Sequence, residues 1–336
     1  MSIVNCQLSI EIMLYPLKFS PILKDKIWGG TKLKSLFDKP AETDKLGESW
    51  ELSGYEGDES VVTNGFLAGN NLVELIEIYM GELIGDTIFD EFGLSFPLLL
   101  KLIDANENLS IQVHPGDEVA AERHNSFGKT EMWYVVDADP GSELIIGFAE
   151  NCSRETYLEA MAEDKVEDLL QKVPVKKGDV FFIPAGRVHA IGKGVVVAEI
   201  QQSSDITYRI YDYKRTDDKG NERELHTQQA LDVINFEATK QPKTIYTPVL
   251  NEKTLLITCE YFTTNMLRFD SPLNRNYAKM DSFVAYMCLE GNMVIEFEGE
   301  KTTVTKGDTV LIPACIDELI LIPDSEVTLL EVYVNS

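Results

Sequence analysis

Only four histidines occur in the 336 residues, His114, His124, His189 and His226, and two of them end strand-like runs beside Gly and Pro. A neutral imidazole can ligate a metal or carry a proton near neutral pH, so these two positions mark a place where chemistry could sit. In LSIQVHPGD, Gln112 and His114 stand two apart. Residues i and i+2 of a strand share a face, so both can look into one cavity. In GDVFFIPAGRVHAIG, His189 follows an apolar run closed by Pro184 and Gly186. Taken alone, a histidine on a strand more often satisfies the core than binds an ion, and that reading holds for His124 and His226.

The segments that must position these residues are mostly short, alternating and bounded by Gly, Pro, Asn or Asp: SVVTNG near Ser60, EMWYVV from Glu131, DVFFIPAG from Asp179 and VVVAEIQ from Val195. Three stretches carry helical spacing instead: NLVELIEIYMGELI near Leu72, SRETYLEAMAEDKVEDLLQK from Ser153 and HTQQALDVI from His226. The pattern predicts a mainly β fold with helical insertions. A polar stretch with two prolines, EATKQPKTIYTPVLNEK over 237–253, marks a boundary, so residues 1–240 and 241–336 are expected as two domains. In the second, Glu290-Gly291-Asn292 and Glu298-Gly299-Glu300 read as turns between strands.

Two strings align without a gap: KKGDVFFIPAGRVH, ending at His189, and TKGDTVLIPACIDE, ending at Glu318. In each, Gly-Asp turns the chain into a strand and Pro ends it at a rim. The second copy has Cys315 and Glu318 where the first has Gly186 and His189. One domain can therefore bind metal, and the other is expected to have lost its site.

Composition narrows the partners. With 56 Asp and Glu against 30 Lys and Arg, the formal charge is -26, which repels nucleic acid and anionic membrane surfaces. An anionic small molecule would need basic side chains gathered locally in its pocket. Five widely spaced cysteines with no C-x-x-C pair suggest neither a disulfide framework nor a thiolate zinc site, and a reducing cytoplasm fits best. No 18-residue apolar run exists, the opening MSIVNCQLSIEI lacks the features of a secretory signal, and Met13 is an alternative start.

GDVFFIPAGRVH fits the spacing G-x5-P-x-G-x2-H of the second motif of the cupin superfamily, with Gly178, Pro184, Gly186 and His189 in place. The run LSIQVHP, GKTEMWYV, IPAGRVHAIG, EIQQSSDITYR, together with KFSPILKDKIWGG and GESWELSG, resembles the type I mannose-6-phosphate isomerases from about residue 14 to 235. That resemblance implies cupin (jelly-roll) β-barrels, the second degenerate, and a cytoplasmic enzyme with one Zn²⁺ per chain. It implies metal ligands at Gln112, His114, Glu131 and His189, with Arg209 of SSDITYR as the catalytic arginine. Two imidazoles, a carboxylate and an amide oxygen suit a borderline divalent ion.

The implied reaction interconverts mannose 6-phosphate and fructose 6-phosphate through an enediol. Negative charge grows on the substrate oxygens, and an always-charged guanidinium can clamp it. For the proton, metal-bound hydroxide, Asp205 and Lys129 remain open; Lys129 shares a face with Glu131 if the strand begins there, and could also bind sugar oxygens. Candidate phosphate contacts are Ser110, Lys101 in FPLLLKLID, and Lys214-Arg215. A lysine inside an apolar strand costs desolvation unless its ammonium reaches water or an anion. The competing readings are a sugar-binding cupin module without turnover and another metal cupin enzyme such as a dioxygenase. Retention of the ligand set together with Arg209 favours the isomerase.

Overall fold

The computed structural model describes residues 13–216 and 220–335; Cys6 and the opening segment that begins at Met1 lie outside them. The chain builds two antiparallel β-sandwiches of matching strand order. In the first, a large sheet runs through Lys243–Thr244, Val180–Ile183, Glu131–Ala138, Val195–Gln202, Leu98–Ala105, Leu46–Tyr55 and Ile22–Gly30. It faces a sheet of Tyr208–Tyr211, Ile111–Val113, His189–Ile191, Glu143–Phe148 and Leu170–Pro174. In the second, Leu17–Lys18, Thr309–Ile312, Val284–Glu290, Val327–Tyr333, Thr263–Phe269 and Glu252–Thr258 face Leu273–Asn276, Glu318–Pro323, Met293–Phe297 and Glu300–Val304. Laid over each other, the two orders match Val180–Ile183 with Thr309–Ile312, the register set by the gapless repeat.

The chain leaves the first sandwich after Lys243–Thr244, which pairs with Val180 and Phe181, and enters the second at Glu252–Thr258. This crossing lies within the polar stretch read as a boundary. Leu17 and Lys18, however, pair with Leu311 and Val310 as an edge of the second sandwich. The first sandwich is one continuous stretch, Ile22 to Thr244, whereas the second also takes Leu17–Lys18 from before it, and a cut at 240/241 parts both Lys243–Thr244 and Leu17–Lys18 from the sheets they join.

The two large sheets pack back to back. Leu98, Leu100, Leu102, Met132 and Ile200 share a core with Met266, Ala285, Met287, Leu330 and Val332. Because both faces of the first large sheet are covered, all residues of Leu98–Ala105 and Val195–Gln202 are buried, and their sequences lose simple alternation. Helix Leu72–Tyr79 buries Leu72, Leu75 and Ile76 in this shared core and starts at a capping box of Asn71 and Glu74. It stops at Met80, where φ is 48°, so the long helix expected there divides into Leu72–Tyr79 and Gly81–Ile84. The stretch from Ser153 likewise divides, into an α-helix over Arg154–Ala162 and a 3₁₀ turn over Val166–Leu169; Leu170, Gln171 and Lys172 then enter the strand Leu170–Pro174, where edge pairing outweighs the helical spacing.

Candidate active site

Strand parity decides what enters the first sandwich. Along Glu131–Ala138, Met132, Tyr134 and Val136 join the shared core, while Trp133 and Val135 pack inside the sandwich and Glu131 stands on that inner face. Leu98–Ala105 follows the same rule, sending Lys101 inward with Ile103 and Ala105, and Val195–Gln202 sends Glu199 inward with Val195 and Val197. At one end of the sandwich the apolar layer therefore gives way to charged groups.

His114, Glu131 and His189 converge there, each at most 1% exposed, with their candidate ligand atoms within 4.8 Å of one another. The two Nε2 atoms are 3.1 Å apart. Glu131 Oε2 lies 3.5 Å from His114 Nε2, and Oε1 lies 3.3 Å from His189 Nε2. Each Nδ1 sits 2.8 Å from a backbone carbonyl, that of Ile206 for His114 and of Arg187 for His189. Donation to those carbonyls puts the ring proton on Nδ1 and leaves both Nε2 lone pairs facing inward. Burial drives both imidazoles below their ordinary pKa, His189 to about 3, which keeps them in the neutral, ligating form. Both oxygens of Glu131 are buried without a hydrogen-bond donor, and burial, reinforced by the charge of Glu199, pushes its carboxyl upward. Four inward acceptor atoms, the two carboxylate oxygens among them without a donor, fit a divalent cation, which neutralises the carboxylate and engages both imidazoles at once. Gln112 adds its amide, with Nε2 3.3 Å from His189 Nε2; turning the amide over presents its oxygen instead.

A cavity of about 250 Å³ opens beside this cluster, walled by Lys101, Ser110, Gln112, Lys129, Asp205 and Arg209 among others. Lys129 Nζ is 3.6 Å from Glu131 Oε2. Arg209 donates from Nη1 to the carbonyl of Glu224 at 2.8 Å, while its buried Nε has no acceptor. Five lining residues are basic (Lys26, Lys101, Lys129, Arg209, Arg223) and three acidic (Glu48, Asp205, Glu199). The cavity wall is thus net positive in a strongly negative chain.

The chain matches the family description "Phosphomannose isomerase type I, catalytic domain" over residues 16–151 and "Mannose-6-phosphate isomerase, cupin domain" over residues 251–333. Mannose-6-phosphate isomerase ManA of Bacillus subtilis (strain 168) is 37% identical over 311 residues, 90% of this chain and 94% of that protein. This chain belongs to the type I mannose-6-phosphate isomerase family. A solved mannose 6-phosphate isomerase from Bacillus subtilis, 32% identical, superposes with a TM-score of 0.85 over 95% of this chain and 99% of its own. A zinc-bound mannose 6-phosphate isomerase structure shares the fold at a TM-score of 0.78 and 16% identity, over 96% of this chain and 100% of its own.

Within this family member the structure gathers most of the residues singled out from sequence, but not Lys214 and Arg215. Lys214 is exposed and paired with Asp164 at 2.8 Å, and Arg215 pairs with Asp212; neither lines the cavity. Both lie beyond the strand Tyr208–Tyr211 in a turn where Tyr213 and Lys214 adopt positive φ, so strand parity no longer aims their side chains. Arg223 lines the cavity instead, and Asp212 holds its guanidinium through contacts of 2.7 and 2.6 Å. Sequence reasoning also missed a ladder on the facing wall. Lys101 Nζ lies 3.5 Å from Glu199 Oε1 and 4.9 Å from the Trp50 ring centroid. Glu199 accepts from Trp133 Nε1 at 2.9 Å, and Glu48 accepts from Trp50 Nε1 at 2.8 Å and faces Lys26 at 3.1 Å. The signal was present: a buried lysine in an apolar strand calls for carboxylates in neighbouring strands, whose charges are Glu48, Glu51 and Glu199, and Glu51 is taken by Lys39.

The second sandwich presents a different interior. Val284 stands opposite Ile312 as Glu131 stands opposite Ile183, and Tyr286 and Glu331 replace the pair Trp133 and Glu199. Glu331 is satisfied internally: Oε1 accepts from Tyr277 at 2.7 Å and from Arg275 at 2.5 Å, and Oε2 from Asn265 at 3.0 Å. Glu318, aligned with His189 in the repeat, is exposed, and Leu319 and Leu321 point inward instead.

Proposed function

We propose that this chain is a metal-dependent aldose–ketose isomerase that interconverts mannose 6-phosphate and fructose 6-phosphate, with one Zn²⁺ held by His114, Glu131, His189 and Gln112 in the first sandwich. The observation that carries the reading is the convergence of two neutral imidazoles and a donor-less carboxylate at the edge of a net-positive cavity. The donor set of nitrogen and oxygen suits zinc. A bound divalent ion supplies Lewis-acid polarisation of the substrate oxygens.

The chain's own residues do the rest. As a proton leaves carbon, charge grows on the enediol oxygens. Arg209, lining the cavity with its Nε uncommitted, meets that charge in a half-buried setting where it weighs more than in water. Lys129 and Asp205 are the wall groups that can carry the proton or bind sugar hydroxyls. Arg223 and Ser110 offer donors to the phosphate. Lys101, only 2% exposed and balanced by two carboxylates, adds positive charge behind the wall. The second sandwich has no part in the chemistry. A cytoplasmic location agrees with the free Cys152, Cys259, Cys288 and Cys315.

Elemental analysis paired with a coupled fructose-6-phosphate assay tests this. About one zinc per chain and exchange of the two sugar phosphates are expected, and His189→Ala should lose the metal. Metal-replete protein without exchange would end the isomerase reading.

A further inference from the structure

Three successive backbone N–H groups lead into the strand that carries Glu131, and each is tied down. Gly128 donates to Asp117 Oδ1 at 2.8 Å, Lys129 to the carbonyl of Pro115 at 3.1 Å, and Thr130 to Gln202 Oε1 at 2.8 Å. Gln202 in turn donates from its side chain to the same Asp117 Oδ1 at 2.9 Å, and its backbone N–H returns to the carbonyl of Thr130 at 3.1 Å. The other carboxylate oxygen of Asp117 accepts the hydroxyl of Tyr261, which comes from the second sandwich and packs on the core shared by the two. Gly128 is held against the start of helix Asp117–His124 so closely that a Cβ there would lie 2.7 Å from the Asp117 nitrogen. That approach admits only glycine.

The geometry points to Asp117 as a positioning residue that fixes Lys129 at the cavity wall, with Tyr261 as the link through which the metal-less sandwich supports it. The inference rests on the isomerase reading and on Lys129 belonging to the site. Asp117 touches neither the cavity nor the ligand cluster, so it acts through the chain segment 128–130. A displacement of about 1 Å in such a group can cost about 10²-fold in rate, whereas ground-state binding through the arginines on the other wall would be little changed.

The test is a double-mutant cycle read in kcat and KM, with zinc content and Tm recorded for each protein. Asp117→Ala should lower kcat about 10- to 100-fold, with KM and zinc within about twofold of wild type. In a Lys129→Ala background the same change should alter kcat by less than about twofold, because the group it positions is gone. A general structural role would lower kcat by the same factor in both backgrounds, and that result overturns the proposal. Full kcat in Asp117→Ala, or in Lys129→Ala itself, overturns it equally. Tyr261→Phe removes one hydroxyl and should lower kcat by about threefold, with no further loss when added to Asp117→Ala. If Asp117→Ala does not fold, Tyr261→Phe with and without Lys129→Ala decides the question by the same criterion. Absence of exchange in zinc-loaded wild type would refute the isomerase reading instead, and the wild-type control reads that separately.

Discussion

Lys101→Met separates two roles for the buried ammonium, substrate contact and internal counter-ion. Its charge, with that of Lys26, overcomes the effect of burial on Glu48 and holds that carboxyl at about 2. A shift from 4.5 to about 2 is worth about 3 kcal/mol at neutral pH, and breaking a buried pair from one side costs about 3–5 kcal/mol. At about 2.1 cal/mol/K per residue, this range lowers Tm by about 4–7 °C in a chain of this length. Calorimetry at pH 7 on zinc-loaded protein measures it, and adding Glu199→Gln should restore most of the loss by removing the carboxylate left unpaired. The pH dependence has a definite sign. The folded pKa of Glu48 lies below its unfolded value, so its stabilising share is fully present above about 4.5 and is lost as pH falls through about 2. The gap in Tm between wild type and Lys101→Met should therefore narrow over that window. An unchanged Tm with a KM raised about tenfold would refute the counter-ion argument and make Lys101 a direct phosphate contact.

Arg209→Ala should keep its zinc and its Tm while losing about 10²- to 10³-fold in kcat, the scale of a lost oxyanion donor; wild-type turnover in the coupled assay would remove its assigned role. Arg223→Ala should raise the KM for mannose 6-phosphate about 10- to 100-fold, as expected for a charge-assisted hydrogen bond of about 1.5–3 kcal/mol. Lys214→Ala, whose side chain is committed to Asp164 outside the cavity, should leave KM within about twofold. Equal KM effects in the two variants would contradict the placement of the phosphate.

What was legible in the sequence was whatever depends on short-range periodicity. The mainly β architecture followed from alternating runs between turn residues, and Glu298-Gly299 does turn the hairpin of Met293–Phe297 and Glu300–Val304, both residues at positive φ. The parity argument for Lys129 needed a strand already begun at that residue, but the strand starts at Glu131, and Lys129 lines the cavity from the segment before it, whose backbone is held at Gly128, Lys129 and Thr130. Arg223 lay beyond such reasoning: it reaches the cavity because Asp212, eleven residues earlier, grips its guanidinium, and no local pattern reports a long-range ion pair. The strand exchange of Leu17–Lys18 was hidden for a similar reason, since two residues pairing with Leu311 and Val310 at the far end of the chain leave no periodic trace.

The repeat shows where legibility stops within a single motif. Its gapless alignment equates Glu318 with His189, and the strands before the prolines do correspond, Val180–Ile183 with Thr309–Ile312. After the prolines the two copies diverge in facing: His189 enters its sandwich, while Glu318 is exposed and Leu319 enters instead. A slip of one residue reverses every side chain of a strand, so restoring a histidine at position 318 would place it in solvent. With Arg275 seated against Glu331, a carboxylate facing the interior already has its positive partner, and a cation there would have to displace a partly buried guanidinium. The second sandwich differs from the first through register as well as through residue identity, and among the described residues it gathers no group of metal-ligating side chains. What it offers the first is the packed sheet behind the cavity and the hydroxyl of Tyr261 on Asp117, neither of which calls on the face that lines its own interior.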